Sequence, residues 1–286
     1  MACDTPYLVF KKGDHIKNSG HLVYEHDVLV PCGKCPPCKN RRINDWVLRL
    51  EEEDKGSSSS FFITLTYDSI HIPITNNGYM NLDHRDIQLF LKKLRRRNQR
   101  KIRYYMSGEY GTIRQRPHYH LIIFNIEDTE NIFKSWKLGG IHIGNVSGAS
   151  IAYTAKYIDK KSIIPQDSTD DRKKEYSAMS NGLGYSFLTP EMIQYYKNDL
   201  KRYSVNKNGS HIRALPRYYR KQIYTELEII KQTKYIQASV QRKSDVDKQK
   251  FLKLYPNKEL DYETYKDNAR YNRYQKHYGQ TKREDL

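Results

Sequence analysis

The sequence has no apolar run of the roughly 18 residues that a bilayer span requires; its most apolar segments, such as Leu121-Ile122-Ile123-Phe124, are strand-sized. Cysteine is scarce, four in 286 residues, and none lies beyond position 38. A disulfide framework distributed through the chain is thereby excluded, and the four thiols read as free cysteines or metal ligands. Nothing near the start resembles a secretory signal, because Met1 to Phe10 runs into Lys11-Lys12 without an apolar core. A cytoplasmic protein is expected. Acidic residues are in the minority, 33 against 50 Lys and Arg.

What the chain has in excess is positive charge and tyrosine: a formal net charge of +17 and 25 Tyr. Such a charge says nothing about fold but favours association with polyanions. Tyrosine rings stack on bases and their hydroxyls hydrogen-bond to phosphates, so basic residues interleaved with Tyr suit single-stranded nucleic acid. The length suffices for a sizeable core, in one domain or in one domain with appendages.

Hydrophobic periodicity sets the organisation. Residues 1–40 read as an irregular arm containing all the cysteines. A helix is expected from Arg41 to Asp54, because Ile43, Trp46, Val47 and Leu50 share one helical face. After the Ser57–Ser60 break, Phe61 to Tyr67 is β-branched and aromatic, hence a strand. Asp83 is a candidate N-cap for a helix carrying Ile87, Phe90, Leu91 and Leu94 on one face. That helix ends in Arg95-Arg96-Arg97, where basic residues suit the helix dipole as well as they would a phosphate-binding edge. Further strands are expected at Ile102–Ser107, with a turn over Gly108–Arg116, at His118–Asn125 and at Ile141–Ile143. Helices are expected at Thr129–Trp136 and from Ser147 to Lys161, with Ser147 or Ser150 as cap. The order β-α-β-β-α-β-α implies an α+β fold, an antiparallel central sheet flanked by helices. A family-like extension over 162–225 and a charged tail over 226–286, helical or partly disordered, complete the chain.

Two constellations carry chemistry. Residues i and i+2 of a strand point to one face, so His118 and His120 project together, a half-site for a divalent metal. Glu109, in Ser107-Gly108-Glu109-Tyr110-Gly111 at the end of the preceding strand, would approach them if the two strands pair as a hairpin. One Glu and two His leave coordination positions open, which suits Mg²⁺ or Mn²⁺ polarising a phosphate oxygen. Tyr153 and Tyr157 are four apart and share one face of a helix. Packing on the sheet is one role for them. The other follows from the tandem Tyr-x-x-Lys elements they make with Lys156 and Lys160, in which a Lys beside a phenol holds a phosphate and favours the phenolate. A tyrosine attacking a DNA phosphate is nucleophilic catalysis. At the start of the chain, Cys32, Cys35 and Cys38 form a Cys-x2-Cys-x2-Cys run. Cys3, His21 or His26 could complete a structural Zn²⁺ site, and an iron–sulfur cluster is the alternative.

His118-Tyr119-His120 with Tyr153 and Tyr157 resembles the HUH endonuclease superfamily. More closely, the chain resembles the replication initiator proteins of the microviruses, small single-stranded DNA bacteriophages, in their gokushovirus-like branch. The segments that carry this are Cys32 to Cys38, Phe62 to Tyr67, Gly108-Glu109-Tyr110-Gly111, Arg116 to His120, Tyr153 to Lys161, Ser180 to Gly184 and Leu215 to Tyr219. The resemblance implies rolling-circle replication in the cytoplasm of a bacterial host. One strand is nicked at the origin, the protein stays on the 5′ phosphate, and the free 3′ hydroxyl primes a host polymerase, with a host helicase as a further candidate partner. It implies Glu109, His118 and His120 as ligands, Tyr153 and Tyr157 as nucleophiles, Lys156 and Lys160 as phosphate contacts. Arg95, Arg96, Arg97, Arg116 and Lys161 are the further candidate DNA contacts. Competing readings are another HUH enzyme (plasmid initiator, relaxase or transposase) or a non-catalytic nucleic-acid-binding protein whose sheet resembles RNA-recognition modules.

Overall fold

The computed structural model describes residues 3–9, 16–18, 21–23, 28–156, 164–207, 211–256, 258 and 261–283. In chain order these form β1 (Tyr7–Val9), β2 (Ile16–Asn18), β3 (His21–Val23), β4 (Val28–Val30), α1 (Pro36–Gly56), β5 (Ser60–Thr66), α2 (His84–Arg96), β6 (Arg103–Tyr110), β7 (Pro117–Phe124) and α3 (Glu130–Ser135). There follow β8 (Ile141–Asn145), α4 (Gly148–Lys156), β9 (Tyr176–Met179), α5 (Pro190–Lys197), β10 (Ser204–Lys207), β11 (His211–Ala214), α6 (Arg217–Ile223), α7 (Glu226–Leu254) and α8 (Asp261–Arg283). They group into two compact units. One comprises Ile43–Asp199 with Ser204–Ile223, the other Met1–Arg42 with Leu200–Tyr203 and Tyr224–Leu286.

The first unit is built on an antiparallel sheet that has five strands among the described residues, in the order β8-β5-β7-β6-β9. From β5 to α4 the elements follow the β-α-β-β-α-β-α order expected. Strand β7 lies at the centre, and its alternate residues enter two different cores. Tyr119, Leu121 and Ile123 join Ile63, Leu65 and Met106 against Ile87, Phe90, Leu91 and Leu94 of α2 and Ile132 of α3. Ile122 and Phe124 join Tyr105 against Val47 and Leu50 of α1 and Ile151 and Ala155 of α4. A strand covered on both faces has no polar alternation to display, which is why Leu121 to Phe124 is an unbroken apolar run. Each such fully buried side chain contributes about 1.5–3 kcal/mol.

Several boundaries differ from expectation. Strand β6 runs through Tyr110, so Glu109 lies within the strand rather than in the turn. Its register continues opposite β7 until Tyr110 meets Pro117. Helix α1 begins at Pro36, not Arg41, because a proline in the first helical turn gives up an N–H that has no partner there anyway. The arm is not irregular: β1 pairs with β4 and β2 with β3, in strands of three residues that are too short to show a period. Edge strand β9 went unforeseen, since Tyr176-Ser177-Ala178-Met179 has no strong apolar alternation. The tail is helical where described, and α7 opens on a capping box between Thr225 and Glu228.

Two polar anchors fix the periphery of this unit. Glu53 of α1 accepts from Arg103 of β6 and, at 2.7 Å, from the backbone N–H of Gly184. Gly184 has φ +73°, and a Cβ there would run into the backbone of Arg49. Asp170 and Arg172 form a buried bidentate pair, with both N···O distances 2.8 Å, and the guanidinium lies over the rings of Tyr79 and Tyr110. The guanidinium's hydrogen bonds hold the Asp170 carboxyl well below the usual carboxylate range, against its burial. In the second unit, Phe251 of α7 packs against Tyr262 and Tyr265 of α8, and Arg273 of α8 pairs with Asp4 at 2.8 Å.

Candidate metal and nucleophile site

The register of the β6–β7 hairpin decides the first constellation. Glu109 lies directly opposite His118, and Ser107 opposite His120. Cross-strand partners share a face, and so do residues two apart. Glu109, Ser107, His118 and His120 therefore project together on the side of the sheet covered by α1 and α4. Glu109 Oε1 is 3.3 Å from His118 Nε2 and 2.9 Å from His120 Nε2. Neighbouring ligand atoms around a cation at about 2.1 Å are separated by roughly 3 Å, so the three side chains fit one divalent ion.

The other ring nitrogens are held from behind. His118 Nδ1 lies 3.1 Å from the carbonyl oxygen of Arg116, a group that can only accept. In the neutral ring this leaves the Nε2 lone pair facing Glu109. His120 Nδ1 is 2.9 Å from Thr64 Oγ1 on β5, whose residue is its cross-strand neighbour. Such outer partners fix ring orientation and tautomer. Burial works to raise the Glu109 pKa, but the two imidazoles outweigh it and hold the carboxyl below the usual range. Ser107 Oγ, on the same face, is buried with no hydrogen-bond partner among the described residues. An orphaned hydroxyl beside three convergent ligand atoms marks room for a further ligand such as water.

Tyr153 stands on α4, beyond a Ser147–Ser150 cap in which Ser147 Oγ accepts the Ser150 N–H at 3.1 Å. Its ring meets that of His120 edge-on, centroids 5.5 Å apart, and meets Phe62 at 6.3 Å. Phe62 stacks on His120 at 5.6 Å. The tyrosine is 43% exposed, although it adjoins a ligand that is nearly buried. Lys156 belongs to α4; Tyr157, Lys160 and Lys161 lie outside the described residues. Arg116 is near the site and donates to the Tyr67 carbonyl at 2.6 Å. Arg95, Arg96 and Arg97 are not brought to it, since α2 covers the opposite face of the sheet. Arg95 lies over the Tyr104 ring, and Arg97 donates back to the Lys93 carbonyl. Thr64, Phe62 and Ser107 were missed from sequence. The signal for Thr64 was a hydroxyl two residues from Phe62 on an otherwise apolar strand. His142, opposite Thr64 on edge strand β8, adds an exposed imidazole on the same face.

In the second unit Cys3, Cys32, Cys35 and Cys38 converge, with every sulfur within 4.8 Å of the others. Cys3 and Cys35 are 3.7 Å apart, against about 3.8 Å between thiolates bound tetrahedrally at 2.3 Å. Among the described residues it is Cys3, not a histidine, that completes the set; His26 lies outside them. The N–H of Cys32 donates to Cys3, those of Lys34 and Cys35 to Cys32, and that of Asp4 to Cys35. Burial works to raise the Cys32 thiol, but these backbone donors and Thr5 bring it down to about 6, while burial pushes Cys38 up to about 12. The donor set fits a closed structural Zn²⁺ site.

A family model for the replication-associated protein ORF2 matches residues 60–162, a span that opens with β5 and closes just past α4. "Replication-associated protein ORF2" of Spiroplasma virus 4 is 30% identical over 261 residues, covering 79% of this chain and 81% of the viral protein. The chain belongs to the microvirus replication-associated proteins. "Replication-associated protein VP4" of Bdellovibrio phage phiMH2K is 29% identical over 72% of the chain and 71% of its own length. A third member of the family, ORF4 of Chlamydia phage 1, is 27% identical over 70% of the chain, which spans 55% of it. No solved structure matches. Among the described residues no helix is long and apolar enough to cross a membrane.

Proposed function

We propose that this replication-associated protein initiates rolling-circle replication by nicking and rejoining single-stranded DNA at an origin through a 5′-phosphotyrosine. The carrying observation is the convergence of Glu109, His118 and His120 beside Tyr153. The reading assigns the three side chains to a Mg²⁺ or Mn²⁺ ion, which when bound would polarise a phosphate oxygen and offset charge developing on it. Thr64 and the Arg116 carbonyl orient the two imidazoles, and Phe62 supports His120. Tyr153 supplies the nucleophile, with Tyr157 as the second. The phenol oxygen bonds to phosphorus, the bond to the 3′ oxygen breaks, and the phenol's proton is balanced by one gained at the new 3′ hydroxyl. One phosphoester replaces another, so the exchange needs no energy source and runs backwards to rejoin the strand. The exposed side of Tyr153 offers the strand access. Lys156 and Lys160 are assigned to the phosphate, and the four cysteines to a structural Zn²⁺.

The test is incubation of the full chain with Mn²⁺ and an origin-bearing single strand. A covalent adduct that resists denaturation is expected, and Tyr153→Phe/Tyr157→Phe should abolish it. Persistence of the adduct in that variant would refute the assignment. A purely binding protein would form none under any condition.

A further inference from the structure

The second unit contains a cleft that the nicking reading does not use. Asp4, Lys34 and Cys35, from the cysteine arm, face Arg270, Tyr271 and Tyr274 of α8 across a cavity of about 350 Å³. Small-ligand sites occupy roughly 300–1,000 Å³, so the cleft has room for about one nucleotide. Tyr271 and Tyr274 lie three apart and share a face of the helix; they are 62% and 47% exposed. Earlier on the same helix Tyr262 and Tyr265 are spent on packing against Phe251. The tyrosine pattern therefore continues past the part of α8 that the aromatic cluster covers.

Charge singles out the occupant. From Asn268 to Arg283 the helix has Arg270, Arg273, Lys276, Lys282 and Arg283 and no acidic residue. Asp4, the carboxylate in the cleft wall, is paired with Arg273 at 2.8 Å. Its backbone N–H donates to Cys35 Sγ, which ties the wall to the cysteine cluster. Arg270 shares its charge with Asp267 at 2.8 Å, and Lys34 comes from the loop between Cys32 and Cys35. Exposed aromatic faces flanked by cations are what a single strand requires: bases stack on the rings and phosphates sit on the charges. An acidic peptide would use the charges and leave the ring faces unmatched.

We infer that this cleft holds one nucleotide of a single-stranded DNA, its base against Tyr271 and Tyr274 and its phosphate toward Lys34 and Arg270. It is an anchor made of residues other than those of the Glu109 site. The inference rests on the reading that the chain acts on single-stranded DNA. In fluorescence anisotropy with fluorescein-labelled oligothymidylate and the full chain, Tyr271→Ala/Tyr274→Ala should weaken binding by about ten-fold or more. Tyr271→Phe/Tyr274→Phe, which keeps both ring faces, should bind as the unsubstituted protein does. Duplex DNA, whose bases are already stacked, should bind all three proteins alike. Circular dichroism checks that α8 persists in the Ala variant. At saturating DNA that variant should still form the tyrosine adduct. Loss of the adduct in the unsubstituted chain would therefore strike the nicking reading, while unchanged oligothymidylate affinity in the Ala variant would overturn this one. A bromodeoxyuridine strand photocrosslinked to the protein should mark the α8 peptide; crosslinks confined to Ile43–Asp199 would overturn it equally.

Discussion

Thr64 is the residue on which the metal assignment can be tested without touching a ligand. It bonds to His120 from behind, so Thr64→Val should keep the fold and lower Mn²⁺ affinity about 10–100-fold, as loss of such outer partners does. Isothermal titration with Mn²⁺ checks this, and unchanged affinity would mean that the ring is oriented by packing on Phe62 alone. His118→Ala/His120→Ala should remove Mn²⁺ binding and the covalent adduct together. Asp170 gives a prediction in pH. Its folded pKa is depressed by Arg172, so its contribution to stability is fully present above the unfolded value, about 3.9, and is lost as pH falls through the folded value. Asp170→Asn should therefore destabilise the protein by about 3–5 kcal/mol near neutral pH, since it leaves the buried guanidinium without its counter-charge. The difference between the two proteins should shrink toward pH 2 in urea titrations.

Among the elements, those with a strong period were legible and those defined by their partners were not. Helix α2 announced itself through Ile87, Phe90, Leu91 and Leu94 and through Asp83, whose side chain does accept from the Arg85 N–H. The His118–His120 pair was legible because a strand fixes which residues share a face. Glu109 was legible only as far as the hairpin could be assumed. Its place in β6 depends on a register continued to Tyr110, and register is a property of two strands rather than one. Thr64 and Ser107 were silent for the same reason: each matters because of what lies across from it. Gly184 shows the converse, a residue marked in sequence whose purpose needed the fold. Its positive φ and the backbone of Arg49 leave no place for a Cβ, so Gly184→Ala should lower stability by about 1–3 kcal/mol, read as a reduced urea midpoint.

At the scale of the whole molecule, the charge of +17 was the plainest sign of a polyanionic partner, and it forecasts steep weakening of DNA binding with salt in any of the competing readings. The arm was the least legible part, because β1 to β4 are brief and the convergence of Cys3 with Cys32, Cys35 and Cys38 spans many residues. Purified protein should contain one zinc per chain. A chelator strong enough to remove it should lower the thermal midpoint, with Cys32→Ser reproducing the loss; metal-free protein of unchanged midpoint would argue for free thiols. The β6–β7 hairpin has a consequence for the order of events in a growing chain. Glu109, His118 and His120 all come from this one local pairing, and hairpins form in about 1–10 μs, whereas Tyr153 is synthesised later. A nascent chain thus assembles its ion-binding residues before it owns a group able to cut, and a truncated product ending within β8 would grip the ion while leaving DNA intact.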